Sequence, residues 1–495
     1  MKLSHASAPL MLLTTLALTA CNPPKLKNRE GSALDGAPVS SPNSGSVQKK
    51  PIDPPLPNSN PIPASGDGTG QGDKTAHDVI VQLFNFPFRS ITAEVPTLAK
   101  IGYGAIHVSP PNLTIHTDQW WGRYQPVDYR VIAGPLGNEA EFRDMITVAH
   151  ANGIKIFVDI VFNHTANPTS QFPKEAGEIV AAKGPLFTPA DYHPAACIKD
   201  YSNIDEVRNL RMCGGGTDAG LPDLDQNSPH VLEVQQDFLK RLNAMGVDGY
   251  RLDAVKHMEP DYFKKLLTPE IRNGKYVYGE IIADQSAYDR DLAPYLAADP
   301  MSFYDFPLRA TVQKAFALGG SLATLVAPNL VSSKAAMPAD KSITFVMNHD
   351  LPNNDAFKSM ILDPVDEQLG YAFLLGRSQG VPYVFSDLGI KGGAGLKSDR
   401  WLNAHRGSDI AKMIAFHNTV RGQGESVVAA DSCLLVLQRG TKGLVAINKC
   451  GETKKVSIDG KFAAGIQLTN ISNGEKVSGS ELHIPSRSYL MLTAP

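Results

Sequence analysis

Four short segments place acids, histidines or an arginine at what read as the ends of β-strands. They are Val158-Asp159-Ile160-Val161-Phe162-Asn163-His164, Gly249-Tyr250-Arg251-Leu252-Asp253-Ala254-Val255-Lys256-His257, Tyr278-Gly279-Glu280, and Phe345-Val346-Met347-Asn348-His349-Asp350. Three carboxylates stand out: Asp253, Glu280 and Asp350. Cleavage of a glycosidic bond with retention needs a carboxylate nucleophile and a carboxylic acid about 5–5.5 Å apart. Arg251 and Asp253 are two apart on one strand, so their side chains share a face, and the guanidinium favours an ionised Asp253. Neighbouring carboxylates would raise the pKa of Glu280.

Such acids act together only if a fold gathers them. Their order, with helix-length intervals between, suits a parallel barrel, in which the carboxyl ends of several strands build one site. The strands are expected at 79–84, 104–108, 155–159, 248–253, 276–280, 301–305, 343–348 and 381–386. Helical spacing lies between the first two, at 138–151, and at 229–245, 365–378 and 409–420. Strands alternating with helices make the fold class α/β, a (β/α)8 barrel. About 60 residues separate His164 from the helix near Ser228, too long for a bare loop in a compact domain, so an inserted subdomain is expected over about 165–227. After about residue 422 short alternating runs (Leu434–Leu437, Gly443–Ile447, Tyr489–Leu492) indicate a small antiparallel β domain over 423–495.

The first 20 residues, with Lys2 and the apolar run Ala8–Ala20, have the form of an export signal. Leu18-Thr19-Ala20-Cys21 resembles a bacterial lipobox, which implies cleavage before Cys21 and acylation of its thiol, with the chain held at a membrane of the cell envelope. Residues 21–75 are rich in Pro, Gly and Ser and cannot bury enough apolar surface to order themselves, which makes them a stalk. The folded part is expected over 76–422, followed by the β domain. The remaining cysteines, Cys197, Cys213, Cys433 and Cys450, allow three pairings. Proximity favours Cys197 with Cys213 and Cys433 with Cys450. With 495 residues, 20% of them charged, and a net charge of −3, the chain has no basic stripe for nucleic acid. A monomer is expected.

The motifs resemble those of the α-amylase family of glycoside hydrolases, over about residues 76–495. Gln119-Trp120-Trp121-Gly122-Arg123-Tyr124-Gln125-Pro126-Val127-Asp128-Tyr129 and Asn138-Glu139-Ala140-Glu141-Phe142-Arg143-Asp144-Met145 are similar to the animal-type members. The resemblance implies that Asp253 is the nucleophile, Glu280 the general acid/base and Asp350 the transition-state carboxylate. It implies endo-hydrolysis of α-1,4 bonds in starch, glycogen or maltodextrins. By the same resemblance His164, Arg251 and His349 border the cleaved sugar, Tyr124 is its platform, Trp121 a neighbouring stacker and Lys256 a contact on the leaving-group side. Asp159 is expected to orient Arg251. Asn163, Asp223 (in Leu221-Pro222-Asp223-Leu224-Asp225) and the main chain of His257 imply calcium, a cation that prefers several oxygen ligands. Animal-type members often bind chloride through Arg251, Asn348 and a further basic residue. Tyr383 occupies that last position here, so chloride is not expected. The rival readings are a transglycosylase, maltogenic enzyme or α-glucosidase on the same scaffold, or a glycan-binding lipoprotein without catalysis.

Overall fold

The computed structural model describes residues 79–117, 119–167, 182–214, 218–388 and 399–495. The leader, Cys21 and the stalk lie outside the described residues. No described helix is long and apolar enough to cross a membrane.

Eight parallel strands close a barrel: β1 (Ile80–Phe84), β2 (Ala105–Val108), β3 (Lys155–Ile160), β4 (Gly249–Leu252), β5 (Tyr276–Gly279), β6 (Ser302–Tyr304), β7 (Ser342–Phe345) and β8 (Val381–Asp387). Each pairs with its neighbours in sequence, and β8 closes on β1. The strands are buried along nearly their whole length, which is why they read as continuous apolar runs rather than as alternations. Register places Asp159 beside Arg251 and Arg251 beside Tyr278.

The helices carry their own stop and start signals. Helix α1 (Phe88–Ile101) ends at Gly102, whose φ of 101° closes the last turn. Helix α2 (Glu139–Ala151) opens with a capping box in which Asn138 and Glu141 each accept from the other's backbone N–H. Its Phe142, Met145, Ile146 and Ala149 form the buried stripe. Helix α3 (Pro229–Met245) starts on a Ser228 cap with Pro229 in its first turn and stops at left-handed Gly246. Helices α4 (Phe306–Phe316), α5 (Pro364–Gly376) and α6 (Ser408–Thr419) complete the outer layer.

The described part of the insertion is held by few elements. A short helix spans Ile204–Asn209, Ile198, Tyr201 and Val207 form a small core, and Cys197 and Cys213 are bonded with Cα atoms 5.6 Å apart. A bridge between His164 and Asp223 sews it to the end of β3.

The chain ends in an antiparallel six-stranded sheet: β9 (Glu425–Ala430), β10 (Leu434–Arg439), β11 (Gly443–Asn448), β12 (Leu468–Asn470), β13 (Lys476–Val477) and β14 (Ser488–Thr493), in the order β9-β10-β11-β14-β12-β13. Lys454–Ser457 and Glu481–Ile484 pair separately. The second disulfide joins Cys433 to Cys450, with Cα atoms 5.3 Å apart. This sheet is tied to the barrel by cations on neutral carbonyls. Lys449 Nζ donates to Ala315 O (2.6 Å), Ala317 O (3.2 Å) and Gly320 O (2.7 Å), at the end of α4. Arg439 donates to Gly376 O (2.7 Å), Val420 O (3.3 Å) and Gln423 O (3.1 Å). A Cβ added to Gly376 would lie 2.7 Å from Val445, so α5 and β11 meet here with no room for a side chain.

Candidate active site

Asp253 directly follows β4, Glu280 directly follows β5, and Asp350 lies beyond the end of β7. Two local features aim the first two. Ala254 has a left-handed backbone (φ 49°, ψ 36°), which turns the chain immediately after Asp253. Gly279 precedes Glu280 at a point where a Cβ would stand 2.8 Å from Val255 and 3.0 Å from Met301.

Arg251, fully buried, organises the acids. Its Nη1 donates to Asp159 Oδ1 and to Asp253 Oδ1, both at 2.7 Å, and its Nη2 lies 2.6 Å from Glu280 Oε1. Asp350 is in hydrogen-bonding contact with Glu280. Three carboxylates thus share one guanidinium, and a fourth adjoins Glu280. Burial opposes the Arg251 charge, but Asp159, Glu280 and Asp253 together hold it protonated well above its ordinary range. Burial also opposes the Asp159 charge, yet Arg251 and His107 keep that carboxyl well below the usual carboxylate range.

Asp253 behaves otherwise than the sequence reading anticipates. Burial pushes its carboxyl up to about 8, and Arg251 only partly offsets this because its charge is divided among three carboxylates. Burial and the adjoining Glu280 likewise push Asp350 far up. The empty cluster therefore keeps protons that isolated carboxylates would release, and they belong to the group rather than to one residue.

Above the acids opens a cleft that takes in about 770 Å³ of space, counting the solvent at its open mouth. Tyr124, Trp120 and Trp121 line it, as do His164, Lys256 and His349. Arg251 lies beneath, touching the carboxylates rather than the cleft surface. Tyr124 is fixed from below by a 2.7 Å bond from its hydroxyl to Asp159 Oδ2. Trp120 both lines the cleft and packs edge-on against Tyr124 and His349. His164 Nε2 bonds Tyr124 O at 2.9 Å, and burial pushes its imidazole down to about 4. Lys256 sits over the Tyr201 ring, 5.8 Å from its centre, and burial lowers it. Leu221, at the head of the Leu-Pro-Asp-Leu-Asp motif, also lines the cleft, as do Met212, Ile282, Asn354 and Phe357, which nothing in their local sequence marks. Gln82 and His107, which approach the site from below, carry a cue: each is a lone polar residue inside an apolar strand.

Of the anticipated calcium ligands, Asn163 and Asp223 meet. Asn163 Nδ2 donates to Asp223 Oδ1 at 3.0 Å, while the buried Asn163 Oδ1 has no hydrogen-bond partner. Asp223 is pushed up to about 7 by burial, against the pull of His193, whose Nδ1 lies 2.7 Å from Asp223 Oδ2. The His257 imidazole turns away to Val207 O at 2.8 Å, which leaves only its main chain for the role expected of it. No cluster of three or more His, Cys, Asp or Glu side chains suited to a metal occurs among the described residues. An orphaned amide oxygen beside a buried carboxylate nonetheless fits an oxygen-seeking cation. Tyr383, in place of a basic residue, bonds His107 Nδ1 through its hydroxyl at 2.7 Å.

The family profile described as "Alpha amylase, catalytic domain" matches residues 88–290. An α-amylase of Aeromonas hydrophila is 38% identical over 407 residues, covering 77% of this chain and 86% of that protein. This chain belongs to the α-amylase family. An α-amylase of Thermomonospora curvata is 30% identical over 81% of this chain and 69% of its own length. Among solved structures, α-amylase I of Eisenia fetida superposes with a TM-score of 0.70 at 23% identity, over 85% of this chain and 98% of its own. The same Eisenia enzyme has been solved as a variant in complex with maltohexaose, with a TM-score of 0.66 at 24% identity, over 87% of this chain and 97% of that one.

Proposed function

We propose that the protein is an α-amylase that cuts α-1,4 bonds within glucans, with retention of configuration. The observation that carries this reading is the single guanidinium of Arg251, hydrogen-bonded to Asp253 and ion-paired with Glu280. Two carboxyls held on one guanidinium stand close together, which suits the spacing of about 5–5.5 Å in retaining sites. In the first step Asp253 acts in its ionised form, with the shared proton of the cluster on Glu280: it attacks the anomeric carbon while Glu280 gives that proton to the departing glycosidic oxygen. In the second, Glu280 takes a proton from water, whose oxygen displaces Asp253. Asp350 stabilises the positive charge that develops on the sugar between these steps.

Tyr124 and Trp121 offer faces for sugar rings, and His164, Lys256 and His349 offer polar contacts. The maltohexaose complex of the Eisenia enzyme supports an oligosaccharide of glucose as ligand. A calcium ion would be held by Asn163, Asp223 and the His257 carbonyl. When bound it would fasten the insertion to the barrel. Activity is proposed to be independent of chloride. The two disulfides and the absence of a membrane-crossing helix among the described residues suit an exported chain, and acylation of Cys21 would tether it. The catalytic unit is taken to end near residue 422. The test is incubation with a blocked maltoheptaoside, with and without chelator, and NMR of the new reducing ends. Release of the α anomer first supports the reading, and release of the β anomer or of glucose alone contradicts it.

A further inference from the structure

His349 is held on four sides. Its ring stacks between Phe84 (centroids 4.7 Å apart, planes 17° apart) and Tyr124 (5.0 Å, 6°). Its Nδ1 meets Gln82 Nε2 at 2.9 Å, and its Nε2 faces Asp350 Oδ1 at 3.5 Å. Gln82, on β1, is 1% exposed, and among the described residues its Oε1 is buried without a partner.

An imidazole flanked in this way has one free choice, the nitrogen that carries the proton. We propose that Gln82 is a positioning residue that makes this choice: its amide donates to Nδ1 and fixes His349 as the neutral Nε2–H tautomer, with an N–H directed past Asp350 into the cleft. Two considerations support the assignment. With the amide donating, the side chain leaves its oxygen and one N–H unpaired. Reversed, it would leave both N–H groups unpaired, and a buried N–H without a partner is rarer than a bare carbonyl oxygen. The reversed tautomer would also put a nitrogen lone pair against Asp350 Oδ1, 3.5 Å away, which only a proton on that oxygen could relieve. Charged and titratable groups around the ring are Arg251 from β4, Asp159 from β3, His107 from β2 and Asp350 from its own segment. Burial and Arg251 drive the imidazole well below its ordinary range, so it stays neutral while those groups titrate. An N–H at this place can donate to a sugar hydroxyl, whereas a lone pair can only accept.

The inference rests on reading the cleft as a glucan-hydrolysing site, but its first test needs no substrate. The ring nitrogens of 15N-histidine-labelled protein, assigned by difference against His349→Asn, should show Nδ1 unprotonated and Nε2 protonated from pH 5 to 8. Protonation at Nδ1 would overturn the proposal, whatever the activity. The second test compares Gln82→Met and Gln82→Glu. Met keeps the volume and removes the donor, so kcat/KM on the blocked maltoheptaoside should fall about tenfold, mostly in kcat. Glu can only accept, so it should move the proton to Nδ1 or create the imidazolium, and should change the pH profile where Met does not. Full activity in a folded Gln82→Met with His349 still in the Nε2–H form would overturn the proposal. Should both variants fail to fold, the nitrogen spectrum of the parent protein decides alone.

Discussion

Arg251 and Arg439 are both almost wholly buried, yet they do opposite things. Arg251, in the barrel mouth, is surrounded by carboxylates that outnumber it, and their protonation is disturbed as a result. Arg439, where the barrel meets the terminal sheet, donates to three neutral carbonyls, and burial lowers it. The second arrangement satisfies backbone oxygens at helix and loop ends, as structure demands. The first leaves charge in excess, which stability alone would not select. Uncompensated burial of charge therefore marks chemistry, while buried charge spent on dipoles marks architecture.

The comparison breaks most readily at Glu280. The Glu280→Gln variant should lose about 10⁴-fold in kcat on the blocked maltoheptaoside, with an unfolding midpoint close to that of the parent. Residual hydrolysis within tenfold of the parent would remove the barrel mouth from the chemistry. Next come the arginines themselves. Arg251→Met should cost about 3–5 kcal/mol because it strands buried carboxylates, and Arg439→Met about 1–3 kcal/mol because it strands carbonyls. Denaturant midpoints give both numbers, and the reverse order would contradict the distinction drawn here.

The pH dependence sharpens it further. The folded-state carboxyl of Asp253 is raised to about 8, against about 3.9 in an unfolded chain. Its contribution to stability is complete below about pH 4 and is lost as pH rises toward 8. Asn carries no such loss, so the stability of Asp253→Asn relative to the parent should grow by at least about 1 kcal/mol between pH 5 and 8. A flat difference would show that the cluster does not hold its protons. Calcium should raise the melting temperature of the parent by a few degrees over chelator-treated protein, and Asp223→Asn should remove that increment. Smallest of all, chloride added to dialysed enzyme should leave the rate unchanged, and a strong rise would show that Tyr383 does not exclude the anion.

Much of this was legible in the sequence because barrel strands advertise themselves. Every strand sits in an apolar run, and Asp253 and Glu280 follow strand ends directly. Helix α3 lies at 229–245 as its spacing indicates; the Ser228 side chain and Pro229 set its start, and the left-handed backbone of Gly246 its stop. Helix α4 was not legible: Asp305 both ends the approach from β6 and caps the helix through Leu308 N, so no loop intervenes to announce it. The cleft walls were hidden for another reason. Met212 and Phe357 reach the acids through tertiary packing, and no local pattern encodes such distance. The protonation of Asp253 was read from its arginine neighbour, whereas burial, which no local sequence shows, outweighs that pull.

The lysine at the sheet's edge has one more consequence. By closing the end of α4 with its three bonds, Lys449 makes a barrel helix depend on a strand that is translated more than a hundred residues later. A ribosome-bound chain ending near residue 420 would display an unfinished helix terminus. The two parts should accordingly melt in one calorimetric transition rather than two.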